Sequence, residues 1–193
     1  MILRSLLSLR VTRDRTPVRT LTMQAGKILQ ASQDGVYVLK LLGDVRLTLC
    51  KTFDDFIEDM FSADNFASVA IDLSDVDGLD STTLGLLAKI AIRAEQRFNF
   101  KPIIVSTDAS ITRLLTSMCF ERIFDIREQR IETLADYGEL PIAVSSEQEV
   151  KTRVLEAHRT LMGLSEENET CFKDLVNALE QDSASGAVHR PTN

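Results

Sequence analysis

Apolar residues change their spacing repeatedly along this chain, and each change marks an element. Residues 27–31 and 36–42 are strand-type runs separated by Ser32-Gln33-Asp34-Gly35, an Asp-Gly hairpin signal. Gly43-Asp44 is expected to end the second strand. Phe53, Phe56, Ile57, Met60 and Phe61 then recur at steps of three and four, which predicts an amphipathic helix over 49–62. Residues 68–73 form a short, nearly continuous apolar run, suited to a central strand covered on both faces. Leu84, Leu87, Ala88, Ala91 and Ile92 make the stripe of the next helix, 81–98, with Lys89, Arg93 and Glu95 off it. A strand over 102–106 follows, then a helix carrying Ile111, Leu114, Leu115 and Met118, then a closing strand over 120–126. The order strand, strand, helix, strand, helix, strand, helix, strand predicts an α/β fold. Its sheet is mixed but mainly parallel, has about five strands, begins with one antiparallel hairpin and carries packed helices.

The chain continues past this unit into a helical extension over 129–181. A helix over 131–137 precedes Pro141, and Ser146 with Glu149 has the spacing of a capping box. Val150, Val154, Ala157, Leu161 and Leu164 follow at alternating steps of four and three. Gly163 reads as a C-cap and Ser165 as a fresh N-cap, with Glu166 and Glu167 in the first turn of the next helix. Cys171, Phe172, Leu175, Val176 and Leu179 give that helix its apolar face. Residues 145–193 hold nine acids against five bases, so the polar faces are expected to be solvated. A stripe of this kind packs on its own domain or serves a second partner or a dimer; both remain open. Residues 182–193, rich in Ser, Gly and Pro, are expected to fray. At the other end, 1–22 carries Arg4, Arg10, Arg13, Arg15 and Arg19 against Asp14 alone. It reads as a disordered basic extension, too basic for a secretory leader, with Met23 opening the folded unit of 23–128.

Composition excludes several functions. Among 193 residues, 29 acids outnumber 22 bases, which opposes a nucleic-acid surface built on basic clusters. No apolar run reaches the roughly 20 residues of a membrane span. Cys50, Cys119 and Cys171 are scattered and the only histidines are His158 and His189, so no metal or iron–sulfur site is expected. Isolated thiols suit a reducing compartment. There is no Gly-x-Ser-x-Gly elbow, no phosphate-binding Gly-rich loop and no histidine beside a plausible nucleophile. Asp54-Asp55 and Glu166-Glu167 read as solubilising charge. The chain is therefore expected to be no enzyme and to use no cofactor.

The segment Leu73-Ser74-Asp75-Val76-Asp77-Gly78-Leu79-Asp80-Ser81-Thr82-Thr83-Leu84-Gly85 leaves a buried-type strand and opens a helix. Its hydroxyls sit where free backbone N–H groups and the positive end of the helix dipole collect. Taken alone, Ser81 reads as an N-cap.

The segment also resembles the STAS domain of bacterial anti-anti-sigma factors. In that family the hairpin ends in Gly and an acid, here Gly43-Asp44. A strand ends in Asp-Leu-Ser, here Asp72-Leu73-Ser74, before an Asp-Ser-Ser/Thr-Gly-Leu-Gly motif, here Asp80-Ser81-Thr82-Thr83-Leu84-Gly85. Ile104-Val105, Ile111-Thr112-Arg113-Leu114-Leu115 and Phe124-Asp125-Ile126 match later elements. Thr83 stands where the family usually has Gly, as does Cys119 before the last strand. The likeness covers about 27–128 and is nearest to antagonists in Gram-negative partner-switching pathways of flagellar and biofilm control.

What the resemblance implies is a cytoplasmic signalling and transcription-regulating protein. It would bind an anti-sigma factor that doubles as a serine kinase, be phosphorylated on Ser81, and be restored by a PP2C-type, metal-dependent phosphatase. Gly43, Asp44, Asp80, Ser81, Thr82 and Thr83 would form the partner surface, with Thr82 the competing acceptor. From another class, the same loop would make a permanent contact in a STAS subunit of a transporter or lipid-trafficking assembly. A small-molecule or nucleotide binder is the third reading.

Overall fold

In a computed structural model the described residues, 25–130 and 136–187, form a six-stranded sheet in the order β5-β4-β3-β2-β1-β6. The extension expected over 1–22, its boundary at Met23, and most of the helix expected over 131–137 lie outside the described residues.

β1 (Lys27–Gln33) and β2 (Val36–Val45) pair antiparallel through Asp34-Gly35, whose φ angles of 51° and 79° are those of a two-residue hairpin turn. β2 does not stop at Gly43. It runs on to Val45 beside β3 (Ser68–Leu79), which itself extends six residues past Leu73. Register shifts at Lys40/Leu42 and Gly43/Asp44 allow this, with Gly43 at φ 65° supplying the left-handed backbone. The Asp-Leu-Ser sequence has a part in the irregularity. Buried Asp72 accepts the Ser74 amide at 2.8 Å, and Lys40 pairs with Asp75 at 2.7 Å.

β3, β4 (Ile103–Val105) and β5 (Asp125–Arg127) pair parallel, as the alternation of strands and helices predicts. The closing strand is shorter than expected because Phe120–Arg122 forms a 3-10 turn that buries Phe120. Cys119 enters that turn at φ 61°, a backbone that suits the family's glycine. β6 (Gly138–Glu139), which the residue pattern does not show, lies on the edge of β1, and the Leu140 amide donates to the Ile28 carbonyl at 2.8 Å.

α1 (Cys50–Ser62), α2 (Ser81–Phe98) and α3 (Ala109–Ser117) connect the strands. Phe53, Ile57, Leu39, Leu41, Ile71 and Leu73 fill the core between sheet and helices. α2 is buried on more than the expected stripe, from Thr82 through Ala88, while Ile92 is only half-buried. The reason is a further layer. α4 (Glu147–Met162) and α5 (Glu166–Ala187) form a hairpin, and α4 packs along α2. The Ser146–Glu149 capping box is present, and the Ser165 hydroxyl accepts the Asn168 amide at 3.1 Å. α5 continues past Gln181 to Ala187, where the composition predicts fraying.

Candidate functional site

β2, β3 and β4 deliver their carboxyl ends to one edge of the sheet, the edge where open α/β sheets place their sites. There β3 hands the chain directly to α2. The N-cap is Asp80, one residue earlier than expected, and Ser81 is the first residue of the helix. The Asp80 carboxylate is bivalent: Oδ1 accepts the Thr83 amide at 2.8 Å and Oδ2 accepts the Leu47 amide at 2.7 Å. Asp80 thereby ties the opening of α2 to the loop after β2. The Asp80 amide also donates to the Val45 carbonyl at 3.4 Å.

Of three consecutive hydroxyls, only Ser81 stays half-exposed. Thr82 is 4% exposed and Thr83 fully enclosed, its hydroxyl near the Val45 carbonyl and the Cys50 thiol. Neither therefore offers a surface oxygen, contrary to the place expected for them on a partner face. Burial pushes the Cys50 thiol up to about 12, a structural and unreactive sulfur. Gly43 is buried, and the Asp44 carboxylate lies 2.7 Å from the Arg46 guanidinium at the neighbouring strand end.

A histidine does stand beside the nucleophile-type oxygen, which corrects the expectation of none. His158 of α4, 2% exposed, has Nε2 2.8 Å from Ser81 Oγ and Nδ1 2.6 Å from the Val154 carbonyl. A carbonyl only accepts, so in the neutral ring Nδ1 carries the hydrogen and Nε2 accepts from the Ser81 hydroxyl. Phe172 of α5 packs edge-on against the imidazole, with centroids 5.1 Å apart. His158 adjoins the apolar stripe, four residues after Val154, and that position is the only signal of it in the sequence.

The rest of α4 is fastened to the same corner. Arg153 reaches Asp54 at 3.6 Å, and Lys51 reaches Glu149 at 3.3 Å. Asp54 also holds Lys89 of α2 at 2.6 Å, which joins α1, α2 and α4. The Glu149 carboxyl is lowered to about 2, chiefly because it accepts the Ser146 amide.

A sequence profile described as the STAS domain matches residues 27–133, more than half of the chain. The chain belongs to the STAS-domain family. Residues 27–127 of this STAS unit hold β1 through β5 and α1 through α3, whereas α4 and α5 lie beyond the match. No curated protein matches the chain. Two solved structures are similar in part. An anti-sigma factor antagonist from Mycobacterium paratuberculosis is 20% identical, with a TM-score of 0.46, covering 54% of this chain and 87% of that one. The anti-sigma factor antagonist SpoIIAA in its unphosphorylated form is 12% identical with the same TM-score, covering 66% and 95%.

Two shallow clefts of about 160 and 330 Å³ flank the β4–α3 shoulder of the STAS unit, one lined by Ser74, Thr107 and Asp108, the other by Thr112, Arg113 and Glu128. They lie at or below the small end of small-molecule sites, which run from about 300 Å³ upward. Among the described residues no helix is long and apolar enough to cross a membrane, and no group of three or more His, Cys, Asp and Glu gathers as metal ligands.

Proposed function

We propose that this chain is a cytoplasmic anti-sigma factor antagonist in a phosphorylation-controlled partner switch, acting by binding and not by catalysis. The unmodified face around Asp80, Ser81 and the Gly43–Asp44 strand end docks the anti-sigma factor. A serine kinase transfers the terminal phosphoryl group of ATP to Ser81 Oγ. The O–P bond forms as the bond to ADP breaks, and the hydroxyl proton leaves to the kinase's base. A PP2C-type phosphatase returns the hydroxyl by hydrolysis to inorganic phosphate.

The observation that supports this reading is the position of Ser81, first in α2 and half-exposed while Thr82 and Thr83 are buried. A phosphate there is stabilised by the helix dipole and free N–H groups, so the STAS unit itself tolerates it. Docking does not: desolvating an unmatched dianion costs several kcal/mol, and about 1.4 kcal/mol is already tenfold in affinity. The test is phosphopeptide mapping of the chain from its native cell, with titration of the purified anti-sigma factor. Wild type and Ser81→Ala should bind, Ser81→Asp should bind at least tenfold more weakly, and no phosphate should appear in Ser81→Ala. Tight binding by Ser81→Asp overturns the assignment.

The hydrogen bond from Ser81 to His158 favours a second reading, a STAS subunit whose loop is permanently occupied and never modified. Lack of any phosphate on Ser81 under conditions that activate the pathway would select it.

A further inference from the structure

The α4–α5 hairpin lies beyond the STAS match and yet rests on the one face of the domain that carries the candidate phosphosite. Three independent contacts place it there. The Ser81 hydroxyl is engaged by His158 at 2.8 Å. Gly85, one turn further along α2, meets Ala157 with no room for a single added carbon. Arg153 and Glu149 pair with Asp54 and Lys51 on α1. Pro141 through Ser146, the tether between β6 and α4, has no regular structure and leaves Ile142 and Val144 71% and 93% exposed.

We propose that α4–α5 is an autoinhibitory lock, the resident occupant of the docking face, and that Ser81 is opened to kinase and partner only when α4 lifts about the 141–146 tether. This rests on the partner-switch reading above and adds a layer of control to it. Phosphorylation replaces the hydroxyl hydrogen with phosphorus, and in the closed chain Ser81 Oγ lies 2.8 Å from His158 Nε2, to which it donates when the ring is neutral. The imidazole therefore occupies the direction in which a phosphoryl group would grow. A partner helix or loop meets the same obstacle at Ser81 and Gly85, since His158 and Ala157 of α4 already lie against them. Phosphate, partner and α4 thus exclude one another at one site. Because the competitor is tethered, it acts at an effective concentration in the millimolar range, so a partner must bind the open face tightly to displace it.

The seat of the hairpin combines a buried apolar face, Ala157, Leu161 and Val176, with ion pairs. The contacts of α4 with α1 include charged pairs, and α5 is fastened to α4 by further ion pairs, Lys151 to Asp182 and Arg159 to Glu180, each at 2.7 Å. The exposed pairs weaken with salt, whereas Arg153 and Asp54, 12% and 16% exposed, are screened less.

The test uses the full chain with Ser81→Cys and maps N-ethylmaleimide labelling at each thiol by peptide mass. The native thiols serve as controls: Cys171 is exposed on α5, and Cys50 is buried in the core. In the closed chain the introduced thiol should label at least tenfold more slowly than Cys171. Ala157→Arg, which cannot be seated against Gly85, should raise the rate at the introduced thiol at least tenfold while Cys50 stays protected. If Cys50 also labels, the domain itself has opened and the charge reversal Arg153→Glu decides. That variant should speed labelling at the mouth of α2, whereas Arg153→Lys, which keeps a cation beside Asp54, should not.

A rate at the introduced thiol that stays within twofold in both opening variants overturns the lock, whatever the anti-sigma factor does. A chain that gates this thiol as described, but whose unmutated form is never phosphorylated on Ser81, overturns the partner-switch reading and leaves the lock standing.

Discussion

Gly85 of α2 and Ala157 of α4 touch backbone to backbone: a Cβ added to Gly85 would lie 2.5 Å from both the Cβ and the carbonyl oxygen of Ala157. The glycine of the family motif is thereby a steric requirement of the α2–α4 contact in this chain. Gly85→Ala gains about 1 kcal/mol of helix propensity, but overpacking of this kind costs about 1–3 kcal/mol. The expected result is a net loss of stability by urea denaturation. Faster amide exchange should appear in α4 while β2 and β3 keep their protection. Unchanged exchange in α4 would show that the two helices separate at no cost.

Asp80 carries two backbone amides on one carboxylate, those of Thr83 and Leu47. Asp80→Ala should cost about 2–3 kcal/mol, an N-cap together with an amide left without its acceptor. Asp80→Asn keeps one acceptor oxygen and should recover the cap but not the Leu47 bond, so roughly half of the loss should return. Full recovery in Asn would mean that the Leu47 contact contributes nothing.

Cys119 holds a left-handed backbone that a side chain disfavours by about 1–2 kcal/mol, partly offset by the greater freedom glycine has when unfolded. Cys119→Gly should therefore stabilise the chain by about 0.5–1 kcal/mol, read as a higher denaturant midpoint at unchanged slope. A lower midpoint would contradict the backbone account.

Acid should loosen α4 at its N-terminus. Glu149 is held at about 2 by the Ser146 amide, the Ser146 hydroxyl and Lys51, and Glu58 is held at about 2, chiefly by the Arg93 hydrogen bond. Both lie below the usual carboxylate value, so their contribution is complete above about pH 4.5 and disappears as pH falls through about 2. The Ser146 amide resonance should follow that same low titration, and Glu149→Gln should abolish it. A midpoint near the ordinary carboxylate value would remove the capping box as its cause.

Much of the fold was legible because its signals are local. Asp34-Gly35 dictates the hairpin, and the stripe from Phe53 to Phe61 dictates α1. The second half of β3 was not legible, since Ser74 to Gly78 has the composition of a loop and becomes strand only by pairing with β2 across two bulges. β6 is two residues long and carries no periodicity at all. At the site, the Asp-Ser-Thr-Thr segment announced a helix start and a hydroxyl. It could not announce which hydroxyl stays exposed, because Thr82 and Thr83 are buried by elements distant in the chain. The stripe of α4 says only that one face is apolar, so its seat on α2, and with it the approach of His158 to Ser81, depends on tertiary packing that no spacing encodes.

The two ends of the sheet carry one further consequence. β6 covers only Leu29 and Gln30 of β1, and the opposite edge, β5, is three residues long with charged Asp125 and Arg127 on either side of Ile126. Among the described residues β5 is too short and too charged to offer another chain a long, flat, apolar ladder, whereas β1 runs on to Gln33 past its pairing with β6. A hairpin lifted as proposed would then uncover α2 in a domain whose β5 rim is blunted against pairing with another chain.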